Sequence, residues 1–365
     1  MLLHISNDFC GSKVYTHLVA SLHELNCKQL VYTATSKNIS TPKNIEVPVV
    51  HSKILSWYTR VNFFYKSRVI YQDLLSRVNI NDVKLVHAHT WYSDGAIALK
   101  LYKEFGIPYV ISIRNSDINV FYPYFIHLRN LGYEILANAK HIIFISSAHC
   151  KRIYSSIKIK TQAPISVIPN GVDPFWLENV TNIGEVHKPF KFIYVGKFDH
   201  GKNVCRLIDA VLELNKKFQS CKCQLILVGG GGDDMTRVMK RVSDNSNHIS
   251  YLGIVKDKEK LKDIYRSCDA FAMPSLAETF GLVYVEAMTQ GLPVLYSKDE
   301  GIDGFFDSHY GISCNPHSKR DIMRGLWKII NYYQNFEINS DRLRKDFNWI
   351  LISQNLKENV YKLLD

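Results

Sequence analysis

The string PSLAETFGLVYVEAMTQGLPV holds the densest group of chemically useful side chains. Two carboxylates, Glu278 and Glu286, bracket Thr279, Phe280, Gly281 and Leu282. The preceding AFAMPS reads as a buried strand ending at Pro274, and a helix is expected to run through Glu286 to Gly291. The first turn of such a helix offers unpaired N–H groups and the positive end of a dipole, which together bind phosphate. Gly281 lets an anion approach the backbone closely. A carboxylate repels phosphate, so neither glutamate is suited to hold it. Each is suited to accept hydrogen bonds from ribose or sugar hydroxyls. Phosphate between two hydroxylated groups is the shape of a nucleotide-sugar. Taken alone, the two glutamates fit better a helix-terminal acid and a solvated helix residue; the surrounding pattern decides otherwise.

Upstream, YVGKFDHGKN places Gly196, Lys197 and Lys202 in a turn after a strand-like run. Transfer from a nucleotide-sugar leaves negative charge on a diphosphate, and cations already in place stabilise that charge. A solvated surface role remains open for either lysine. Asp233 and Asp234 are adjacent, without the spacer of a paired-carboxylate metal site, and fit an acidic helix-capping turn. No metal is expected. His87 and His89 alternate along a strand, so packing roles are open for both beside catalytic ones. The eight cysteines, Cys221 and Cys223 included, are scattered without a CxxC pair and read as reduced thiols.

The elements that must hold these groups alternate β-rich runs with helical periodicity. LLHIS, KQLVYTAT, KLVHAHT, PYVISI, HIIFIS and PISVIPNG read as strands, with THLVASLHEL, DGAIALKLYKEFG and NLGYEILANA as helices among them. Asp94 is expected to cap the second of these helices. The rhythm restarts with KFIYVGKF, NVCRLIDAVLELNKKF and CQLILVGGGG. The fold class expected is α/β, with two facing Rossmann-like doubly wound domains and a cleft between them. Residues 1–175 form the first domain, 176–345 the second, and 346–365 a terminal helix crossing back to the first. In parallel sheets ligands sit beyond the carboxyl ends of the strands, where these residues fall.

Of 365 residues, 46% are hydrophobic and 22% charged, which excludes a disordered chain, a collagen or a disulfide mini-protein. No apolar run is long enough to span a bilayer. The start, MLLHISNDFCG, lacks the basic and apolar regions of a secretory signal, so a cytoplasmic location is expected. Residues 1–175 carry 19 Lys+Arg against 10 Asp+Glu, a net of +9 within the chain's +11. That field favours anionic partners. Residues 53–77 mix Trp57, Phe63, Phe64 and Tyr65 with Arg60, Lys66 and Arg68. A basic aromatic helix fits a lipid surface, and a packed domain helix is the alternative. No nucleic-acid recognition motif accompanies the charge.

With Glu278 and Glu286 in E-x7-E spacing, the chain resembles the family 4 retaining glycosyltransferases of GT-B architecture. YVGKFDHGKN, LVGGGGDD, YLGIV, IPNGVD and the terminal FNWILISQNLKENVYKLLD are similar to that family's segments in order and spacing. The resemblance implies that Glu286 accepts from ribose and Glu278 from the donated sugar. Thr279 and the backbone of Phe280, Gly281 and Leu282 hold the diphosphate, Lys197 and Lys202 neutralise it beside Gly196, and Val255 lies near the base. Gly11 would face the donor phosphate from the first domain, a plain turn glycine being the alternative. Lys197, Lys202 and Glu278 are the expected catalytic group. Many relatives place a His where PYVISIRNSDINVFY has Arg114, and Arg cannot act as a base at ordinary pH. Arg114, Asn115 and Asp117 are expected to bind the acceptor.

The activity expected is retaining, metal-independent transfer from a nucleotide-sugar, a UDP-sugar foremost, without a resident cofactor. The acceptor expected is a lipid-linked saccharide in bacterial O-antigen or capsule synthesis. A peripheral position on anionic lipid at the cytosolic face of the inner membrane follows from that acceptor and the basic first domain. A nucleotide-sugar epimerase of similar fold, or a silent nucleotide-sugar-binding protein, are the competing readings.

Overall fold

The computed structural model describes residues 1–36, 45–156, 161–218 and 222–362. The chain divides into two compact units. The first holds Met1–Ile145, Cys150–Gly171 and the residues from Asp346 onward; the second holds Ser146–His149 and Val172–Lys345. The division falls after Gly171 rather than after residue 175. Cys221 lies outside the described residues.

In the first unit, seven parallel strands are β1 (Leu2–Ile5), β2 (Gln29–Thr35), β3 (Val49–Lys53), β4 (Leu85–Ala88), β5 (Tyr109–Ile113), β6 (His141–Phe144) and β7 (Ile165–Val167). Their order is β3-β2-β1-β4-β5-β6-β7. The LLHI and YVISI strands are buried at every position, as a parallel sheet covered on both faces requires. Leu2 registers with Gln29 on one side and Leu85 on the other, so the order reverses at β1/β4.

Trp349, Ile352, Leu356, Val360 and Tyr361 pack on one face of this sheet against Leu2, Leu85, Val110 and Ile143, with Leu18 and Leu22 of the helix Lys13–Glu24. Trp349 leaves no room for a side chain at residue 171: a Cβ on Gly171 would lie 2.6 Å from the indole. The expected helix over DGAIALKLYKEFG is Ser93–Phe105, ended by Gly106 at φ 69°. Its N-cap is Tyr92, not Asp94, whose buried side chain meets Asn7 instead.

The second unit carries β8 (Phe190–Gly196), β9 (Cys223–Gly229), β10 (Ile249–Tyr251), β11 (Ala270–Ala272), β12 (Val294–Ser297) and β13 (Gly311–Cys314). All are parallel, in the order β10-β9-β8-β11-β12-β13, with the reversal at β8/β11. At the carboxyl end of β9, Gly229 has φ 129°, and a Cβ there would lie 1.9 Å from the Gly196 carbonyl oxygen. Only glycine lets the two strand ends approach this closely. No helix among the described residues is long and apolar enough to cross a membrane.

Replacing Trp349 by Ala empties a buried ring site between the terminal helix and the first sheet. We expect a loss of about 3–5 kcal/mol in urea unfolding. A change under 1 kcal/mol would show that this packing does not stabilise the unit.

Candidate functional site

The reversal at β8/β11 brings two turns together. After β8, Lys202 ends a short turn, His200–Lys202, and Asn203 follows at φ 61°. The buried Asn203 amide donates to the carbonyls of Pro274 and Pro316, each at 2.8 Å, and Leu276 N–H donates to Gly201 O at 2.8 Å. The lysine turn is thereby bound to the turn after β11. Lys202 Nζ lies 2.5 Å from Glu278 Oε2, the side chains 29% and 11% exposed.

The next residues start the helix Leu282–Thr289, with Gly281 as N-cap at φ 81°. A Cβ there would meet the Tyr284 ring at 2.6 Å. The Tyr284 hydroxyl donates to Met273 O, tying the helix to the strand end. Tyr284 N–H donates to Gly281 O at 2.9 Å, and the N–H groups ahead of it lie at the end of the macrodipole that attracts anions. Thr279 N–H donates to Glu278 Oε1 at 3.1 Å, and Phe280 is buried against Phe305. Thus Lys202, Glu278, Thr279, Phe280, Gly281 and Leu282 come together.

Gly196 closes β8, and Lys197, the next residue, is exposed. Glu286 is half-buried on the same helix. Val255 is half-buried in the loop after β10, which joins the strand ends through Gly229 N–H donating to Gly253 O at 2.8 Å. Asp233 accepts from His200 N–H at 2.7 Å, and Asp234 pairs with Arg237 at 2.7 Å at the head of the helix Met235–Asp244. Both occupy the acidic capping turn.

Glu300 was not legible in advance. It stands three residues beyond β12, and one of its oxygens accepts Glu278 N–H at 2.9 Å. His149 Nε2 lies 3.3 Å from that oxygen. A carboxylate just past a strand's carboxyl end was the signal available for Glu300; nothing local marked His149.

In the first unit, Arg114 follows β5. Its Nε donates to His89 O at 3.0 Å and its Nη1 to Asn170 Oδ1 at 3.2 Å, with the guanidinium over the Tyr15 ring at 4.7 Å. Asn115 is exposed. Asp117 departs from the expected acceptor role. It is fully buried and accepts the backbone N–H groups of Trp91, Tyr92 and Arg114 at 2.9, 3.2 and 2.9 Å. Its work is to shape the loops after β4 and β5. Burial pushes its carboxyl up to about 6 although those hydrogen bonds oppose the shift. Gly11 ends the turn Phe9–Gly11, where a Cβ would lie 2.5 Å from Asp8 Oδ1. Asp8 stands one loop from β1 at the sheet's reversal; partial desolvation raises its carboxyl, with Arg114 opposing. Asp94 accepts from Asn7 Nδ2 at 2.7 Å, and burial raises its carboxyl to about 7.

His4, His87 and His89 are buried with ligand atoms within 4.8 Å of one another. Their hydrogen bonds form two groups. Gln29 Nε2 donates to Val19 O, which leaves Oε1 to accept from His4 Nε2 at 3.0 Å. His4 Nδ1 then accepts from His89 Nε2 at 2.9 Å. His87 bonds Ser112 Oγ at 2.8 Å and the Tyr361 hydroxyl at 2.6 Å. The rings of His87 and His89 stack at 3.9 Å, so their in-plane lone pairs do not converge on one point. This fits the packing role better than metal ligation.

Two units of parallel α/β build, each with functional side chains beyond its strand ends, define a GT-B glycosyltransferase fold. Residues 11–175 match the family model described as Glycosyltransferase Family 4, and residues 178–346 that described as Glycosyl transferases group 1. The chain belongs to the family 4 glycosyltransferases. It is similar to an alpha-monoglucosyldiacylglycerol synthase of Acholeplasma laidlawii, 27% identical over 263 residues. That match spans 64% of this chain and 64% of the relative, less than two thirds of its length. An uncharacterized glycosyltransferase of Methanocaldococcus jannaschii is 24% identical over 347 residues, 91% of this chain and 89% of that one. Among solved structures, a sucrose-phosphate synthase from Thermosynechococcus elongatus superposes with a TM-score of 0.75 at 18% identity, covering 99% and 98% of the two chains. Anabaena HepE, in complex with UDP and glucose, gives 0.70 at 18% identity, covering 99% of each.

Asp94 generates a stability prediction. Its folded pKa, about 7, lies above the ordinary 3.8, so the fold favours the protonated form. That contribution is complete below about pH 4 and is lost as pH rises toward 7. Asp94→Asn keeps an acceptor for Asn7 and removes the titration. Its unfolding free energy should therefore fall less than the wild type's between pH 4 and 7, in matched urea titrations. Parallel curves would mean that Asp94 ionises freely.

Proposed function

We propose that this chain is a retaining, metal-independent hexosyltransferase that moves a sugar from a UDP-sugar to a lipid-linked saccharide. The observation that carries the reading is the Lys202–Glu278 pair at the head of the helix Leu282–Thr289, at the strand reversal of the second unit. HepE, which shares the fold, was solved with UDP and glucose, and the Acholeplasma relative is a glycolipid synthase.

In this reading the donor diphosphate lies on the first-turn N–H groups, with Lys202 and Lys197 as counter-charges. An arriving diphosphate competes with Glu278 for Lys202. Glu278 is then released to accept from a hydroxyl of the donated sugar, while Glu286 accepts from ribose and Val255 borders the base. As the glycosidic bond to phosphate breaks, charge grows on the diphosphate and Lys202 stabilises it. The departing phosphate takes the acceptor's proton on the same face, which retains the anomeric configuration and needs no base from Arg114. Arg114 and Asn115 bind the acceptor. Surface-polysaccharide synthesis, O-antigen or capsule, is the setting we assign. Arg114 in place of a His favours one second reading, a silent nucleotide-sugar binder; repeated release of UDP from a UDP-sugar separates the two.

The first unit supplies a surface for a peripheral position on anionic lipid at the cytosolic face. Trp57, Tyr58, Val61, Phe64 and Tyr65 are exposed along the helices Trp57–Val61 and Phe63–Arg77. Phe63 meets Phe121 at 6.1 Å, which extends the surface toward exposed Tyr124 and Ile126. Lys66 does not serve this surface: it is half-buried, with Nζ 3.5 Å from Ser93 Oγ. Arg68 is exposed, and the Arg60 side chain lies outside the described residues.

Lys202→Ala should lower kcat for UDP release from UDP-glucose by about two orders of magnitude, the usual effect of removing one preorganised donor. Glu286→Ala should weaken UDP-glucose binding by roughly tenfold to a hundredfold in calorimetry, since a hydrogen bond to a charged acceptor contributes about 1.5–3 kcal/mol. Full activity in the first variant, or unchanged affinity in the second, would remove those roles. For the surface, Trp57→Ala combined with Phe64→Ala should reduce cosedimentation with anionic vesicles and spare nucleotide affinity. Equal recovery of variant and wild type would return these helices to ordinary domain packing.

A further inference from the structure

We propose that His149 is a positioning residue for the loop Glu278–Leu282, acting through Glu300; the inference rests on reading that loop as the donor site.

Glu278 is held at both ends of its backbone by two consecutive residues. Its N–H donates to Glu300 Oε2 at 2.9 Å, and its carbonyl accepts Gly301 N–H at 2.9 Å. Gly301 has φ 57°, and a Cβ there would lie 3.0 Å from Phe280 O and 3.1 Å from Glu278 Cγ. The Glu300–Gly301 corner therefore holds the backbone of Glu278 and borders Phe280, and it sets the position from which Glu278 reaches Lys202.

The corner is fixed from behind by the head of the helix Ser147–Ser156. The buried Ser146 hydroxyl donates to Gly301 O at 2.8 Å and accepts His149 N–H at 3.4 Å. His149 Nε2 lies 3.3 Å from the same Glu300 oxygen that receives Glu278 N–H, with side chains 1% and 10% exposed. A carboxylate oxygen can only accept, so Nε2 carries a proton and donates. The shared oxygen thus sits between an imidazole N–H and the loop's own N–H. His149 Nδ1 is buried and has no partner among the described residues, so the ring's one polar engagement in this network is with Glu300. Phe keeps an aromatic ring there and cannot donate. Gln reaches with an amide N–H where His149 has Nε2–H.

The test uses the full chain with UDP as probe. Hydrogen exchange should accelerate at least about tenfold in the peptide covering 276–284 of His149→Phe. The Kd for UDP should rise by about tenfold, the size of an ordinary coupling within one hydrogen-bond network. His149→Gln should restore both, and exchange in β8 and β11 should stay at the wild-type rate in either variant. Unchanged loop exchange and UDP affinity in His149→Phe would overturn the proposal. So would equal damage in Phe and Gln variants accompanied by faster exchange in β8 and β11, because that pattern marks general destabilisation. If the wild type fails to bind UDP while loop exchange follows the predicted pattern, the positioning role stands and the donor reading fails.

Discussion

Two turns that follow neighbouring strands β8 and β11 are held by the contact between Lys202 and Glu278, 2.5 Å apart at the reversal of the second sheet. An ion pair of two exposed side chains contributes about 0–1 kcal/mol. This one is mostly shielded, and its partners are set by neighbours rather than by mutual attraction alone. Asn203 binds the lysine turn to Pro274 and Pro316, while Glu300 and Gly301 hold the backbone of Glu278. A cation and a carboxylate are thereby presented beside the unpaired N–H groups of a helix start. In the proposed reading an anion entering there meets donors already oriented and takes the place of Glu278 at Lys202. The mechanism proposed needs that arrangement before the donor arrives, since preorganised charge is what lowers the barrier.

The parallel strands and their order in the chain were legible because strands buried on both faces read as short apolar runs between turn residues. KFIYVGKF and PYVISI are such runs, and the expected strands appear as β8 and β5. The turns after them carried the candidate residues, and the family resemblance assigned Lys202 and Glu278 to one donor site. Side-chain direction was not legible. Asp117 was expected to face a ligand, yet three backbone N–H groups draw its carboxylate inward. Lys66 belongs to a basic aromatic stretch, and its helix turns it toward Ser93. Asp94 looked like a cap because it precedes a glycine and an apolar run; the helix begins one residue before it. Glu300 and His149 are 151 residues apart, and no local periodicity connects them.

The first unit shows how much polar chemistry a fold can absorb as structure. His87 and His89 stand where a sequence invites catalytic roles, yet His89 is bonded through His4 to Gln29, and His87 lies between Ser112 and Tyr361, all of them buried. Burial disfavours the imidazolium form at all three. The terminal segment is fastened to His87 through the Tyr361 hydroxyl and to the sheet through Trp349 and Ile352. Arg114 and Asn115, at the end of β5, are the residues the proposed reading gives to the acceptor.

The central claim is that a uridine nucleotide binds at residues 278–282 through protein groups alone. Calorimetric titration of the wild-type chain with UDP, GDP and CDP, each with and without excess EDTA, tests it directly. Saturable binding of UDP in preference to the other two is expected, with the same affinity when EDTA is present. Binding of UDP that vanishes with EDTA and returns with Mg²⁺, or no binding of any of the three, would contradict it.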